Sequence, residues 1–277
     1  MSNDATRNDA TSNEANRRYE LAQRLAYEAG KRTLVHFQKL KLDVELKKDR
    51  SPVTIADRDC ETYLREQIHA TFPDDAIVGE EFGEQTGSSG YRWILDPIDG
   101  TKSFISGVPL YGTMVAVECD GHAQSGVVYL PGLDEMIYAQ VGHGCWHRVG
   151  ENAPVPAHVS KCTELSKAKI VTSEVRSYAD RGAAGLYDAM ENAAYIARTW
   201  GDCYGYLLVA TGRVDAAIDP IMNIWDAAAV QPIINEAGGR FSDWQGKGAI
   251  DSGDSIGSNG LIHEQLLTVI ADFLAQI

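Results

Sequence analysis

The stretch that most constrains this chain is residues 93–101, which read Trp-Ile-Leu-Asp-Pro-Ile-Asp-Gly-Thr. A short apolar run ends at Asp96, and a proline-containing turn leads to Asp99 and Gly100. Two carboxylates three residues apart at the end of a buried strand point toward the same small space. Like charges held that close repel each other, so a hard divalent cation such as Mg²⁺ or Mn²⁺ is their simplest partner. Taken alone, the stretch also fits an Asp-rich surface turn.

Composition narrows the class of protein. The 277 residues are 44% hydrophobic and 23% charged, which is typical of a soluble globular protein with one large domain or two halves that share a core. The net charge of −14 argues against nucleic-acid and anionic-membrane partners, but a metal could still hold an anionic substrate. The absence of a signal core or a long apolar run, together with an odd number of cysteines, indicates reduced thiols and a cytoplasmic location.

Hydrophobic periodicity predicts a multi-layered α/β fold in two halves. We expect a disordered tail over 1–16, an N-terminal half over 17–152 and a C-terminal half over 153–277. The first half reads as a helix over 17–38, a strand over 39–45, a polar loop over 47–52, a helix from the Thr54 capping box to Thr71, strands at 76–78 and 93–95, and a meander over 111–119, 122–130, 135–141 and 145–149. The second half reads as strands at 169–172, 195–199, 214–218 and 240–242, with helices at 178–192, 203–211 and 226–236 and from 263 onward.

Acidic residues stand at the ends of four separate predicted elements. They are Asp57, Glu80, the pair Asp96 and Asp99, and Asp226. Each has an ordinary explanation by itself, because carboxylates are favoured in the first turn of a helix and in solvated loops. It is their combination that points to a shared site.

That combination resembles the inositol monophosphatase family of Mg²⁺-dependent phosphatases. The matching pieces occur in the family's order at residues 52–57, 79–81, 93–101 and 225–228, the last leading to 236–239. The resemblance covers residues 20–270 and implies the alternating αβαβα sandwich of the inositol monophosphatase and fructose-1,6-bisphosphatase type. It also implies a homodimer.

The resemblance assigns roles by position. Glu80, Asp96, Asp99, Asp226 and the backbone carbonyl of Ile98 would be ligands for two or three Mg²⁺ ions, with Mn²⁺ as a substitute. Glu80 and Thr101 would orient and deprotonate the attacking water, and Asp57 would lie near the most weakly held metal. Gly100 and Thr101 would open a helix whose N–H groups hold phosphate oxygens. No phosphoenzyme is expected.

Within the family, the chain looks most like the histidinol-phosphate phosphatases. The similar segments are Lys102-Ser103-Phe104, Trp200-Gly-Asp-Cys-Tyr-Gly-Tyr206 and 219–223. Histidinol phosphate carries an ammonium and an imidazole, which carboxylates away from the metals would suit, namely Asp202 and Asp219. Asp219 discriminates poorly, since an inositol-type enzyme would also use an acid there. Asp202 could instead be a helix N-cap, and Asn223 could contact substrate or close a turn.

The sequence therefore predicts an enzyme that hydrolyses L-histidinol phosphate to L-histidinol and phosphate in histidine biosynthesis. Its small-molecule substrate would be a phosphate monoester. The first alternative is an inositol-1-monophosphatase or a broader sugar-phosphate phosphatase. The second, from another class, is a non-catalytic factor that assembles on RNA or the transcription machinery. The intact set of acids argues against this last reading.

Overall fold

The strands of the first half carry nearly continuous apolar runs, which is the pattern of a sheet covered on both faces. The computed structural model describes residues 2–39, 44–46 and 52–276. Its helices are α1 Ser2–Thr33, α2 Ile55–Thr71, α3 Thr101–Ile105, α4 Arg176–Asp180, α5 Leu186–Ala193, α6 Cys203–Ala210, α7 Ile224–Ala227, α8 Val230–Glu236 and α9 His263–Leu274. Its strands are β1 Val44–Leu46, β2 Pro52–Thr54, β3 Ala76–Gly79, β4 Gly83–Gln85, β5 Tyr91–Asp99, β6 Gly112–Cys119, β7 His122–Leu130, β8 Glu135–Gln140, β9 Cys145–Val149, β10 Val155–Pro156, β11 Lys169–Val171, β12 Ile196–Arg198, β13 Ala216–Asp219, β14 Arg240–Ser242 and β15 Ser255–Ser258.

Two sheets form the framework. The first has the order β10-β9-β8-β7-β6-β5-β3-β4, and all its pairs are antiparallel except β3 with β5. The second has the order β12-β11-β13-β15-β14, with β11 parallel to both of its neighbours. The first sheet runs to Pro156 and the second begins at Lys169, so the polar stretch 151–160 lies at the change from one sheet to the other.

Alternation along the strands sorts side chains between layers. On β6, Val115 and Val117 pack with α1 and α2, whereas Met114 and Ala116 join a second core with α6 and α8. That second core also contains Val171 of the other sheet, so the two halves share it. A third core packs the far face of the second sheet against α5 and α9. The layer order αβαβα confirms the predicted fold.

Most predicted elements are present, with three informative differences. The meander strands and the capped helix α2 lie where the sequence predicts them. Helix α1, however, begins at Ser2, so the structure differs from the predicted disordered tail over 1–16. Most residues of this segment are Asn, Asp, Thr and Ser, which are weak helix formers, and near its end Glu14 pairs with Arg17 and Arg18 at helical spacing. The predicted strand 39–45 and loop 47–52 lie partly outside the described residues, since only 44–46 and the flanking 39 and 52 are described.

Two predicted helices are each split in two. The helix expected over 178–192 becomes α4 and α5, separated by Gly182 and Gly185, both with positive φ. The helix expected over 226–236 becomes α7 and α8. Pro232 therefore lies in the first turn of α8, where its missing N–H costs no helical hydrogen bond. None of the described helices combines the length and apolar character that a membrane crossing requires.

His263 makes stability depend on pH. Its ring is fully buried and contacts the hydroxyls of Ser242 and Ser258, each at 2.8 Å. Burial, with a smaller contribution from Arg240, lowers the pKa of His263 to about 4. The unfolded chain, with a pKa near the ordinary 6.5, binds the proton first as pH falls. The contribution of His263 to the free energy of unfolding is therefore fully present above pH 6.5. It decreases as the pH falls from 6.5 toward 4.

We expect His263→Gln to remove part of this acid sensitivity. Between pH 7 and pH 4.5 the wild-type free energy of unfolding should fall by about 2 kcal/mol more than that of the variant. Urea denaturation of both proteins at the two pH values measures the difference, in which the shared titration of carboxylates cancels. Parallel losses in both proteins would show that His263 does not titrate in this way.

Candidate active site

A bulge in β5 brings Asp96 and Asp99 to the same place. In a regular strand, residues three apart face opposite sides of the sheet. Here the pairing of β5 with β6 is regular up to Asp96 and shifts register before Asp99. Pro97 has no N–H for the ladder, and its carbonyl accepts from the Thr113 hydroxyl at 2.8 Å. The irregularity turns the second carboxylate toward the first.

Three carboxylates converge at this point. Asp96, Asp99 and Asp226 each place an oxygen within 4.8 Å of the others, with Asp96 buried and the other two half-buried. Burial raises the pKa of Asp96 well above its usual range, and the charge of Glu80 raises it further. Burial also raises the pKa of Asp99 well above its usual range, and the charge of Asp202 raises it further. Such a cluster needs positive charge to remain ionised.

Asn223 orients Asp226 from outside the cluster. Asp226 is the third residue of α7 and forms a capping box with Asn223, whose backbone N–H donates to Asp226 Oδ2 at 2.7 Å. The Asn223 amide donates to the same oxygen at 3.1 Å. The sequence left open whether Asn223 contacts substrate or closes a turn. In the structure it caps the helix and also lines the cavity described below.

Asp57 is held in the same manner. Its Oδ2 accepts from the backbone N–H and the hydroxyl of Thr54, at 2.8 and 2.6 Å, in the predicted capping box. Among the described residues, Oδ1 of Asp57 is buried with no hydrogen-bond partner, and so is Oδ1 of Asp96. Burial raises the pKa of Asp57 to about 6. Buried carboxylate oxygens without a partner are costly unless a cation completes them.

Glu80 lies in the turn between β3 and β4. Its backbone N–H donates to the Leu95 carbonyl at 3.2 Å, which ties the turn to β5. The charge of Glu80 acts on Asp96, so its carboxylate lies near the cluster but outside the tight group of three. Thr101 lies just beyond the end of β5, and its hydroxyl donates to the Ile98 carbonyl at 3.0 Å.

Gly100 allows the chain to turn from β5 into α3. It has a φ of 82°, a conformation that favours glycine. A Cβ at this position would lie 2.9 Å from Asp202 Oδ2 and 3.2 Å from the Leu110 carbonyl oxygen. Helix α3 has only 5 residues, so its dipole can contribute little to anion binding.

A cavity of about 440 Å³ opens beside the carboxylates. It lies between the two halves of the chain. Its lining includes most of the predicted site residues, namely Asp99, Gly100, Thr101, Lys102, Asp202, Asp219, Asn223 and Asp226.

Asp202 occupies this cavity in an unusual backbone conformation. Its φ of 53° and ψ of −158° fall in a region that essentially only glycine adopts. Its backbone N–H donates to the Ser173 hydroxyl at 2.8 Å, and the next N–H, of Cys203, donates to Asp99 Oδ2 at 2.5 Å. Its side chain does not cap α6, which was the alternative for this residue. This conformation directs two consecutive backbone N–H groups to Ser173 and Asp99 and leaves the Asp202 side chain in the cavity lining.

Asp219 already has its protein partners. One oxygen accepts from the Ser173 N–H at 2.8 Å and the Thr172 hydroxyl at 3.2 Å, and the other accepts from the Tyr206 hydroxyl at 2.9 Å. The residue is buried at the end of β13. This network joins β11, α6 and β13 and shapes the cavity floor.

Sequence reasoning missed Glu174. Its carboxylate accepts from Lys102 Nζ at 2.5 Å across the cavity, and both side chains are well exposed. An exposed pair of this kind adds little to stability, so both charges remain accessible to a ligand. No sequence pattern pairs residues 72 positions apart, and only the packing of the two halves brings them together.

The donor set fits a hard divalent cation. Carboxylates and a backbone carbonyl are the ligands that Mg²⁺, Mn²⁺ and Ca²⁺ accept, and no described histidine or cysteine belongs to the cluster. Such an ion would supply a partner for the buried oxygens of Asp57 and Asp96 that have none within the described part of the chain. Asp57 lies outside the tight group of three.

Known proteins share this fold and much of this sequence. Residues 14–275 match the inositol monophosphatase family. A histidinol-phosphatase of Chlorobaculum parvum is 43% identical over 91% of this chain and 96% of its own length. One from Mycobacterium tuberculosis is 37% identical over 90% and 95%. Among solved structures, a Thermotoga maritima IMPase superposes with a TM-score of 0.82 at 29% identity, covering 94% of this chain and 98% of the other. With an αβαβα fold, a convergent carboxylate cluster and a family match across nearly its whole length, this chain belongs to the inositol monophosphatase family of phosphatases.

Proposed function

We propose that this protein hydrolyses L-histidinol phosphate to L-histidinol and phosphate, and that it uses Mg²⁺. The observation that carries the substrate is a pair of further acidic side chains in the cavity lining, beside the carboxylate cluster. Asp202 and Glu174 both line the cavity, and Asp202 is held there despite backbone strain. A leaving group with an ammonium and a protonatable imidazole matches two carboxylates, whereas a sugar ring offers only hydroxyls. Two relatives at 43% and 37% identity, both named histidinol-phosphatase, support the same substrate.

Five carboxylates and one carbonyl would hold the Mg²⁺ ions. The proposed ligands are Glu80, Asp96, Asp99, Asp226 and the Ile98 carbonyl, with Asp57 near a more weakly held ion. When bound, the ions supply charge neutralisation for the phosphate and a lowered pKa for water. Mg²⁺ rather than Ca²⁺ is proposed because Mg²⁺ is commonly held by a few carboxylates together with substrate phosphate and water.

The chain's own groups would orient the reactants. Glu80 would accept a proton from the attacking water, and Thr101, fixed through its bond to the Ile98 carbonyl, would orient that water. Lys102 provides a positive charge at the mouth of the cavity, where it would attract the phosphate. Binding the substrate would exchange the Lys102–Glu174 pair for two new ion pairs, Lys102 with phosphate and Glu174 with the substrate cation. This exchange offsets part of the cost of desolvating either charge.

The proposal is tested by following L-histidinol formation with and without metal. Chelation should abolish turnover, and Mg²⁺ should restore it. In ¹⁸O-labelled water the label should appear in inorganic phosphate and not in histidinol, since water attacks phosphorus. Turnover that survives chelation, or label in histidinol, would contradict the proposed chemistry.

A further inference from the structure

Glu61 is a carboxylate that the proposed chemistry does not use. It lies on α2 one turn after Asp57, and its side chain is fully buried. A buried carboxylate is unfavourable unless hydrogen bonds and a positive charge replace its lost hydration. The groups that Glu61 contacts must therefore compensate its burial.

The contacts of Glu61 are with the turn that carries Glu80. Glu61 Oε2 accepts from the Glu81 N–H at 2.7 Å, and Oε1 accepts from the Phe82 N–H at 3.2 Å. The remaining N–H of the turn, that of Glu80, donates to the Leu95 carbonyl. Every backbone donor of the three-residue turn is thus assigned, two of them to a single side chain.

Arg65 and Gly79 complete the arrangement. Arg65 donates to Glu61 Oε1 at 2.7 Å and to the Gly83 carbonyl at 2.5 Å, so it neutralises Glu61 and ties it to the far side of the turn. A Cβ on Gly79 would lie 2.1 Å from Glu61 Oε1. Glycine immediately before Glu80 is therefore required for the carboxylate to reach the turn.

We propose that Glu61 is a positioning residue that fixes the Glu80 turn for metal binding, with Gly79 providing the space. This rests on the proposed function in taking Glu80 as a metal ligand. Because Asp57 and Glu61 share one helix, α2 sets two parts of the metal site, one directly and one through the turn. Only a carboxylate of this length accepts from two backbone N–H groups and a guanidinium together, whereas an amide would oppose one donor with its own NH₂.

The test measures divalent-ion binding without turnover. Mn²⁺ binding to the full-length protein is titrated by electron paramagnetic resonance for wild type, Glu61→Gln, Gly79→Ala and the matched control Glu66→Gln, which changes an exposed carboxylate on the same helix. We expect Glu61→Gln and Gly79→Ala to raise the Mn²⁺ dissociation constant by about 10- to 100-fold, the usual effect of losing a group that orients a ligand. Glu66→Gln should match wild type. Raised Mg²⁺ should restore much of the kcat of Glu61→Gln.

A purely structural role would have a different signature. The melting temperature of Glu61→Gln or Gly79→Ala would fall while the Mn²⁺ dissociation constant stayed within about twofold of wild type, and that result would overturn the proposal. If Glu61→Gln does not fold, Gly79→Ala and the shortened Glu61→Asp decide by the same titration. Absence of Mn²⁺ binding in the wild type would instead refute the metal-dependent function itself, so the two failures are distinguishable.

Discussion

Replacing Asp96 by asparagine is expected to lower kcat/KM at saturating Mg²⁺ by at least about 10³-fold, or about 4 kcal/mol of transition-state stabilisation. Asp96 is the buried member of the converging carboxylates, and its Oδ1 has no partner among the residues that the structure describes. An amide has nearly the same shape but removes one negative charge from the cluster. Steady-state phosphate release measures the loss.

The same substitution should stabilise the protein when metal is chelated. Burial and neighbouring charges raise the pKa of Asp96 well above its usual range, so the ionised cluster destabilises the metal-free fold. We therefore expect a higher melting temperature for Asp96→Asn than for wild type in chelator, and a smaller increase on adding Mg²⁺. Asp272→Asn, on the exposed side of α9, should change neither property. An active Asp96→Asn, or one that melts below wild type in chelator, would contradict this account of the cluster.

Replacing Asp202 is expected to change substrate preference more than chemistry. Asp202→Asn keeps the size of the side chain and removes the charge proposed to bind the cationic leaving group. kcat/KM for L-histidinol phosphate should fall by about 10²-fold, or about 2.7 kcal/mol, whereas that for p-nitrophenyl phosphate should change by only a few-fold. Steady-state assays with both substrates separate the two effects. Equal losses on both would assign Asp202 to the metal site instead.

Asp202→Gly adds a test of the strained backbone. Glycine adopts a φ of 53° with a ψ of −158° without penalty, so relief of strain should raise the free energy of unfolding by about 1 kcal/mol. Activity on L-histidinol phosphate should fall as in Asp202→Asn. A less stable glycine variant would show that the Asp202 side chain contributes to folding and not to recognition.

The sequence predicts the layered fold well because both sheets depend on local signals. The alternation that separates Val115 from Met114 is set by neighbouring residues, as is the capping box at Thr54. Strand β15 was missed because Ser255–Ser258 contains glycine and serine in a loop-like composition and becomes a strand only by pairing with β13 and β14. The first turns of α1 resemble a disordered tail in the sequence because their residues are mostly polar and show no helical hydrophobic periodicity.

The sequence names candidate site residues but not the contacts that connect them. The motifs name the carboxylates, yet the bulge at Pro97 that aligns Asp96 with Asp99 depends on pairing with β6. Glu61 reads in the sequence as one more polar helix position, and its function becomes visible only where Gly79 admits its carboxylate to the turn. Contacts between residues far apart in the sequence, such as Lys102 with Glu174, produce no periodic pattern in the sequence.

The most direct test of the substrate is phosphate release, with Mg²⁺, from L-histidinol phosphate, myo-inositol 1-phosphate, fructose 1,6-bisphosphate and adenosine 3′,5′-bisphosphate under identical conditions. We expect kcat/KM for L-histidinol phosphate to exceed the others by at least about 100-fold, or about 2.7 kcal/mol of transition-state discrimination. A flat profile, or a preference for inositol phosphate, would contradict recognition by Asp202 and Glu174 and leave only the metal-dependent phosphatase chemistry.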